Sequence, residues 1–282
     1  MENKRNTSDR WRLLLMAAPG SLVILFFFVI PLAMVTGEGF ANGGSAFQKV
    51  LTDPIFWKGL GGSLVIGLTA PTFSLLVGFG VALHLSTLSE RMRTSLQFWI
   101  SLPLTFSGLI VAYGFILAYG RSGFVTLGLA EVGVDPSRFS GFLYSPVGLA
   151  FAYSYYLIPR VVLILLPVLV NFDRAQIRAA QSLGSHPARA VIDILIPQIM
   201  PSAVNAFCLV SAVAIGAYGT ALALVGTQVN ILPLLLYSRI SDTGTDFPSA
   251  AALSVILLTL CTLILAAGEL FTLRRDRNVP VA

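Results

Sequence analysis

The chain has 282 residues, of which 56% are hydrophobic and only 11% are charged. This composition excludes a water-soluble domain of that length and indicates an integral membrane protein. Lys and Arg (18) exceed Asp and Glu (13), but these charges lie in short loops and form no basic face, so no nucleic-acid partner is expected. The predicted surroundings are the lipid bilayer.

Six stretches of the sequence are long and apolar enough to cross a bilayer, which takes about 20 residues of helix. The first follows a basic N-terminal segment and lacks the cleavage site of a signal peptide, so it is interpreted as an uncleaved span. The predicted fold is an all-α membrane protein with six transmembrane helices. The predicted spans are residues 13–35, 59–86, 95–119, 145–170, 197–225 and 250–271.

The distribution of basic residues predicts the side of the membrane on which each loop lies. Twelve Lys and Arg residues fall in the N-terminal segment, the second-to-third loop, the loop at 171–197 and the C-terminal segment, against five on the opposite side. Cytoplasmic loops carry the excess of positive charge. We therefore expect both termini in the cytoplasm, with tails at residues 1–12 and 274–282 and a transmembrane domain at 13–273.

Two short apolar stretches, residues 123–134 and 231–240, are too brief to cross and are predicted at the outer interface. There they either form part of a landing surface for a solute-carrying partner or simply pack at the interface. Prolines interrupt several spans, and such breaks suit a pathway that opens and closes. These prolines are Pro71, Pro103, Pro159, Pro197 and Pro201.

Arg160 lies near the middle of the fourth span. A charge there costs about 2.5 kcal/mol or more unless it faces protein or water. Tyr156 and Tyr153 precede it by four and seven residues, so the three side chains share one helical face. We predict that they border a translocation route and that Arg160 favours a negatively charged solute. The alternative is that Arg160 makes a structural hydrogen bond to neighbouring carbonyls.

The fifth span is rich in Ala and Gly and has few polar residues. Three of them, Asn205, Ser211 and Tyr218, are predicted to line the same cavity as Arg160.

The loop between the fourth and fifth spans contains the longest polar interruption in the second half of the chain, NFDRAQIRAAQSLGSHPARAVIDILIPQIMP at residues 171–201. Asp173 is predicted to cap a short helix, with Gln176 reaching back to it in a capping box. Gly184 is predicted to end that helix in a left-handed conformation, and Ser185 to cap a second helix with Pro187 in its first turn. This helix-turn-helix indicates a docking element for another protein rather than a simple connector.

The loop resembles the EAA loop of bacterial ABC importer permeases, whose pattern is Glu-Ala-Ala, three residues, Gly, nine residues, then Ile-x-Leu-Pro. Arg178 stands where that family usually has Glu, and Ile196 stands for the Leu. The segment at residues 232–258 is similar to permeases of the polyamine, iron and phosphonate importer group. The positions that carry the loop resemblance are Arg178, Ala179, Ala180, Gly184, Ile194 and Pro197.

This resemblance implies a type I ABC importer permease fold and a loop that seats in a cleft of a separate ATPase subunit. ATP and Mg²⁺ are then expected on that partner, and no cofactor is expected in this chain. The sequence contains neither a phosphate-binding G-x-x-x-x-G-K-[ST] loop nor a G-x-S-x-G nucleophile motif, so it is not expected to be an enzyme.

Further partners follow from the same resemblance. We expect a second permease chain and an external solute-binding protein, in the inner membrane of a bacterium, with the chain crossing several times. The sequence leaves open whether the second permease is an identical or a homologous chain.

The solute is predicted to be anionic or zwitterionic, for example an organophosphonate such as 2-aminoethylphosphonate. Ferric iron and polyamines are the alternatives, although a polyamine would favour acidic residues that the spans largely lack. An ion-coupled secondary transporter would need acidic groups within the membrane and inverted repeats, and neither is found.

The histidines and cysteines indicate no metal or disulfide chemistry. His84 and His186 have no partners at metal-ligand spacing and are interpreted as structural. Cys208 and Cys261 both fall in apolar segments, so no disulfide framework is predicted.

Overall fold

A computed structural model describes residues 16–226, 229–241 and 246–276, except for the side chains of Asn42 and residues 274–276. The predicted tail at residues 1–12, the start of the first predicted span at 13–15 and the end of the second tail at 277–282 lie outside the described residues. Within the described ranges the regular structure is helical, with no strand.

Thirteen helices are used below. They are α1 (Met16–Gly39), α2 (Ala41–Thr52), α3 (Pro54–Leu85), α4 (Glu90–Ser101), α5 (Gly108–Tyr119), α6 (Phe124–Ala130), α7 (Pro136–Leu143), α8 (Pro146–Asn171), α9 (Ala175–Ser182), α10 (Pro187–Gly216), α11 (Gly219–Val225), α12 (Leu232–Ser241) and α13 (Phe247–Asp276).

In the described part of the chain, six helical segments are long and apolar enough to span a membrane, which confirms the predicted number. Their mean hydropathy ranges from 1.4 to 2.5. They are Met16–Gly39, Pro54–Leu85, Gly108–Ala130, Pro146–Asn171, Pro187–Gly216 and Phe247–Leu273.

The third span does not run from residue 95 to residue 119 as predicted, although the break expected at Pro103 is present. Helix α4 ends at Ser101, a short 3₁₀ turn covers Leu102–Thr105, and α5 begins only at Gly108. Pro103 lies in this turn, and extended backbone at Phe106 and Ser107 separates the two helices. The span instead continues beyond Tyr119 into α6, so part of the stretch at 123–134 belongs to it.

The fifth span also differs from the one predicted at residues 197–225 with breaks at Pro197 and Pro201, because Pro201 lies inside a continuous helix. Its helix begins at Pro187, passes through a π-helical turn at Val191–Leu195 and ends at Gly216. Ala217 has an extended conformation, with φ −72° and ψ 109°, and α11 starts afresh at Gly219. The second helix of the docking loop is therefore the start of the fifth span and not a separate element.

The chain divides into two compact units, of which the first contains the described residues of Met1–Pro54 and Leu236–Ile256. Inside this unit α2 is held to the chain around α13 by an ion pair between Lys49 and Asp246. A second ion pair joins Arg239 to Asp53. Gly39 lies close to the backbone of Ala252, where an added Cβ would be 3.3 Å from the Ala252 nitrogen.

The second unit contains the described residues of Ile55–Leu235 and Leu257–Ala282, and α8 is its most buried helix. Leu149, Leu157, Val161 and Leu165 of α8 are fully buried. An added Cβ on Gly78 of α3 would lie 2.7 Å from a Val161 methyl carbon, so the absence of a side chain lets the two helices approach closely. The core of this unit forms around α8, and the candidate site lies on that helix and its neighbours.

Candidate functional site

The two interrupted spans meet at the points where their helices restart. Thr220, in the first turn of α11, donates a hydrogen bond from Oγ1 to the Gly108 carbonyl at the start of α5, at 2.9 Å. An added Cβ on Gly108 would lie 2.6 Å from Thr220 Oγ1, so only glycine permits this approach. Ser107 caps α5 through its side-chain oxygen, which accepts from the Ile110 N–H.

Tyr153 of α8 holds the second break. Its hydroxyl donates to the carbonyl of Ala217 at 2.8 Å. A carbonyl that leaves the helical pattern inside a membrane needs such a donor, because lipid supplies none. Tyr153 is fully buried and its hydroxyl binds this carbonyl, so it stabilises the break between α10 and α11.

Tyr156 and Arg160 lie on the same face of α8, as predicted from their spacing. The Arg160 guanidinium donates from Nη1 to the Tyr156 carbonyl at 3.1 Å, and its central carbon lies 5.5 Å from the centre of the Tyr156 ring. This geometry is that of a cation–π contact. Arg160 is half-buried and, among the described residues, forms no ion pair. Most of its N–H donors are therefore left for water or a ligand.

The other three predicted pathway residues lie on neighbouring elements. Tyr218 follows Ala217 directly, at the break where Tyr153 binds. Ser211 is buried, and its backbone carbonyl lies 3.8 Å from the position of an added Cβ on Gly67 of α3. Asn205 lies beside Gly268 of α13, whose added Cβ would be 3.8 Å from the Asn205 Cα. The pathway role of these three residues stays a prediction.

An aromatic-lined cavity of about 350 Å³ lies between α5 and α8. Its wall is almost wholly apolar, and the two tyrosines supply its polar groups. Ring contacts support this wall, since Phe115 and Tyr119 stack at 5.7 Å and Phe115 meets Tyr155 edge-on at 5.8 Å. The aromatic residues that line it are Phe106, Phe115, Tyr119 and Tyr155.

The first docking helix is α9, and its N-cap position is Arg174, one residue after the predicted cap Asp173. Asp173 accepts a hydrogen bond from the Ala175 N–H at 2.9 Å. The predicted capping box is wrong, because the Gln176 side chain instead accepts a hydrogen bond from Gln198 at 2.6 Å. That bond ties the start of α9 to α10.

The docking turn contains the predicted left-handed glycine. Gly184 has φ +88°, and nothing lies within 4 Å of the position of an added Cβ. The predicted capping role of Ser185 is wrong, because the helix begins one residue later. His186 is the cap, since its Nδ1 accepts from the Ala188 N–H at 3.3 Å, which gives this histidine a structural role.

The predicted docking residues are brought together at this end of the second unit. Arg178, Ala179 and Gly184 are exposed, and the neighbouring Leu183 is 89% exposed. A leucine this exposed beside a bare glycine forms a small apolar knob. The remaining members, Ala180, Ile194 and Pro197, are half-buried. The docking role of these residues stays a prediction.

Residues 73–277 match the family described as the binding-protein-dependent transport system inner membrane component. The matched segment includes the docking loop, both breaks and Arg160. The chain belongs to this family of transport permeases. It is a permease subunit of an ABC importer and a multi-pass inner membrane protein.

The names of proteins similar to this permease refer to several different substrates. It is 27% identical over 93% of both chains to the spermidine/putrescine transport system permease protein PotB of Salmonella typhimurium. It is 28% identical to PhnU of Salmonella typhi, a candidate 2-aminoethylphosphonate transport system permease, over 89% of this chain and 86% of that one. It is 25% identical to the chloroplastic sulfate permease 2 of Chlamydomonas reinhardtii, over 90% of this chain and 68% of that one.

Solved structures confirm the fold of the permease. A chain of a bacterial alginate ABC transporter, solved with a periplasmic protein that holds an alginate pentasaccharide, superposes with a TM-score of 0.78 at 18% identity. The similarity covers 98% of this chain and 99% of that chain. The six-span, type I importer fold predicted from the docking loop is therefore correct.

Sequence reasoning missed Gly108, Thr220 and the Ala217 carbonyl. Two local signals pointed to them: Ser107 followed by glycine inside an apolar stretch, and Tyr218 followed by Gly219 and Thr220. A Ser that precedes a helical run is a common cap, so the first signal could have indicated a helix start at Gly108.

Proposed function

We propose that this permease forms the membrane path of an importer driven by separate ATPase subunits that bind ATP and Mg²⁺. The ATPase contacts the loop at 171–197, and this loop and both termini face the cytoplasm. The exposed knob at Leu183 and Gly184 supports the docking part of the proposal, and the distribution of basic residues supports the orientation. A second permease and an external solute-binding protein complete the assembly.

The solute is anionic or zwitterionic, and an organophosphonate such as 2-aminoethylphosphonate fits best. Arg160 carries this proposal. It is a half-buried cation in the middle of α8, held against Tyr156 with free donors and with no carboxylate in ion-pair range in the described ranges. A guanidinium with several free N–H groups binds phosphonate oxygens through charge-assisted hydrogen bonds. The similarity to PhnU supports the same class.

A polyamine is the second candidate, and the aromatic cavity favours it. Phe106, Phe115, Tyr119 and Tyr155 present ring faces and edges in one apolar wall. Ammonium groups bind such faces by cation–π attraction. The similarity to PotB is in line with this class, whereas a cation such as Arg160 along the path would repel a polyamine.

The assembly is tested by purifying the tagged full-length permease in mild detergent and identifying the chains that accompany it. Recovery of an ATPase with a phosphate-binding loop, stimulated by a binding protein loaded with 2-aminoethylphosphonate, would support both the importer assembly and the solute. Recovery of the permease without any ATPase would contradict the assembly.

The solute class is tested by uptake into vesicles that hold the whole assembly. Arg160→Gln should lower uptake of 2-aminoethylphosphonate at least about tenfold, because a hydrogen bond to a charged group contributes about 1.5–3 kcal/mol. Arg160→Lys keeps the charge and should retain more activity. If Arg160→Gln assembles normally and transports at the original rate, the role of Arg160 in the path is wrong. Faster uptake of spermidine than of the phosphonate would favour the polyamine.

A further inference from the structure

A second cavity, of about 280 Å³, lies behind the docking helix α9. The ends of α3 and α8 and the start of α10 form its other walls. Its apolar lining is extensive for a site so close to a polar loop. The apolar residues are Leu83, Leu169, Phe172, Ile177, Val191 and Leu195.

Two arginines, Arg174 and Arg178, supply the charge of this cavity. Arg174 donates from Nη2 to the Ser86 hydroxyl at 2.9 Å, which fixes its guanidinium at the cavity wall. Ser86 and Gln181 are the other polar residues of the lining. The lining contains no carboxylate, so the cavity carries a net positive charge.

Neither arginine of the lining is neutralised by the protein in the ranges that the structure describes. Arg189, on the same loop but outside the cavity, differs because it pairs with Asp193 at 3.4 Å. Arg178 is also the position at which the loop departs from the acidic residue of the EAA pattern. A Glu there would have left Arg174 as the single cation of the lining.

The cavity lies where two membrane-spanning helices end, since α3 finishes at Leu85 and α8 at Asn171. The ends of such spans lie at the level of the lipid headgroups. Basic pockets between spanning helices at this depth bind anionic headgroups. Six apolar side chains beside two cations match an amphiphile better than a small inorganic anion, which would leave the apolar wall uncovered.

We propose that this cavity binds an anionic phospholipid. The lipid phosphate contacts Arg174 and Arg178, and the first part of an acyl chain packs on Leu83, Leu169 and Leu195. The site is separate from the aromatic cavity and from Arg160, and it does not depend on the identity of the solute, although it shares Arg178 with the predicted docking residues.

The test uses the full-length permease in detergent, stripped of lipid, with native mass spectrometry as the readout. The probes are palmitoyl-oleoyl phosphatidylglycerol and phosphatidylcholine with the same acyl chains. We expect one phosphatidylglycerol retained per chain in preference to phosphatidylcholine. The double variant R174Q/R178Q should weaken its binding roughly 30-fold, the effect of two basic residues near a charged surface. Arg189→Gln is the matched control and should bind as the original chain does.

A second variant tests the proposal independently, in case the double variant misfolds. Gln181→Glu adds one negative charge to the lining with almost no change in shape, and it should also lower retention of phosphatidylglycerol. Equal retention of both lipids would overturn the proposal. So would glycerol 3-phosphate that displaces the lipid at equal concentration, because the site would then recognise only a phosphate. Crosslinking of Arg178→Cys to a partner protein, with no lipid retained, would assign the cavity to that partner.

Discussion

The Thr220 hydroxyl donates to the Gly108 carbonyl across 2.9 Å and joins the first turns of two helices that are separated by 112 residues in sequence. Each of these helices begins where a membrane span is interrupted. The two breaks are therefore not independent irregularities, because a shift of either helix start stretches the same hydrogen bond.

This contact predicts the effect of adding one methyl group. Gly108→Ala places its Cβ 2.6 Å from Thr220 Oγ1 and 3.3 Å from the Thr220 backbone nitrogen, so the helix starts must separate. Overpacking of this kind costs about 1–3 kcal/mol. The thermal midpoint of the purified permease should fall by several degrees. Gly114→Ala is the matched control in the same helix, since nothing lies within 4 Å of its Cβ position. Equal thermal midpoints for the two variants would show that the close approach of Gly108 to Thr220 does not limit stability.

Tyr153→Phe removes the donor that satisfies the Ala217 carbonyl. An unpaired polar group in a buried site costs about 1–3 kcal/mol, so this variant should also unfold at a lower temperature. Tyr155→Phe removes a hydroxyl two positions further along α8, at a residue that is 41% exposed, and should leave the thermal midpoint unchanged. A loss of stability in both variants would show that the Ala217 hydrogen bond is not the cause.

Gly184 allows a test of docking that separates backbone strain from steric access. Its φ of +88° disfavours most side chains, but Asn tolerates left-handed backbone and is small. Gly184→Asn should keep most ATP-driven uptake. Gly184→Trp should insert in the membrane normally and lose uptake, because the indole projects into open space over the turn and blocks a partner. Normal uptake by Gly184→Trp would remove the support for docking at this turn.

The ion pair between Lys49 and Asp246 predicts a pH dependence within the first unit. The hydrogen bond from Lys49 holds the pKa of the Asp246 carboxyl below its usual range, against the opposing effect of partial burial. A carboxyl with a lowered folded pKa stabilises the protein above its unfolded pKa of about 3.9, and this contribution is lost as the pH falls through the folded pKa.

The measurement is the thermal midpoint of the original chain and of Lys49→Gln between pH 7 and pH 3. Lys49 is exposed and Asp246 is half-buried, so the variant should unfold only on the order of 1–2 °C lower at pH 7. This difference should shrink below about pH 4. A difference that stays constant across the range would assign the effect of Lys49 to something other than Asp246.

The sequence was sufficient for the number of spans, because apolar runs of about 20 residues have few alternatives to crossing a membrane. It was also sufficient for the docking turn, since the left-handed conformation of Gly184 is a local property. The break at Pro103 was predicted from the proline itself, whereas the break at Ala217 was not, because a contact between distant residues stabilises it. Tyr153 binds the extended backbone at Ala217 from 64 positions away, and the residues around Ala217 do not specify that partner.

The predicted site was only partly right for the same reason. Tyr156 and Arg160 were placed correctly by helical periodicity within α8. Asn205 and Ser211 were assigned to the same cavity by their polarity alone. Polarity does not predict which helix packs against a residue, and the structure places these two near α13 and α3. The cap of the second docking helix was displaced by a single residue, from Ser185 to His186.

The continuity of α10 has a mechanical consequence. Its 30 residues run without a break in helical backbone from Pro187 to Gly216, which corresponds to about 45 Å at 1.5 Å per residue. We therefore expect an axial displacement at Pro187 to be transmitted to Gly216, reduced only by deformation of the π-helical turn at Val191–Leu195. Just beyond that end Tyr153 binds the Ala217 carbonyl, so we expect a push on the docking loop to act on this hydrogen bond.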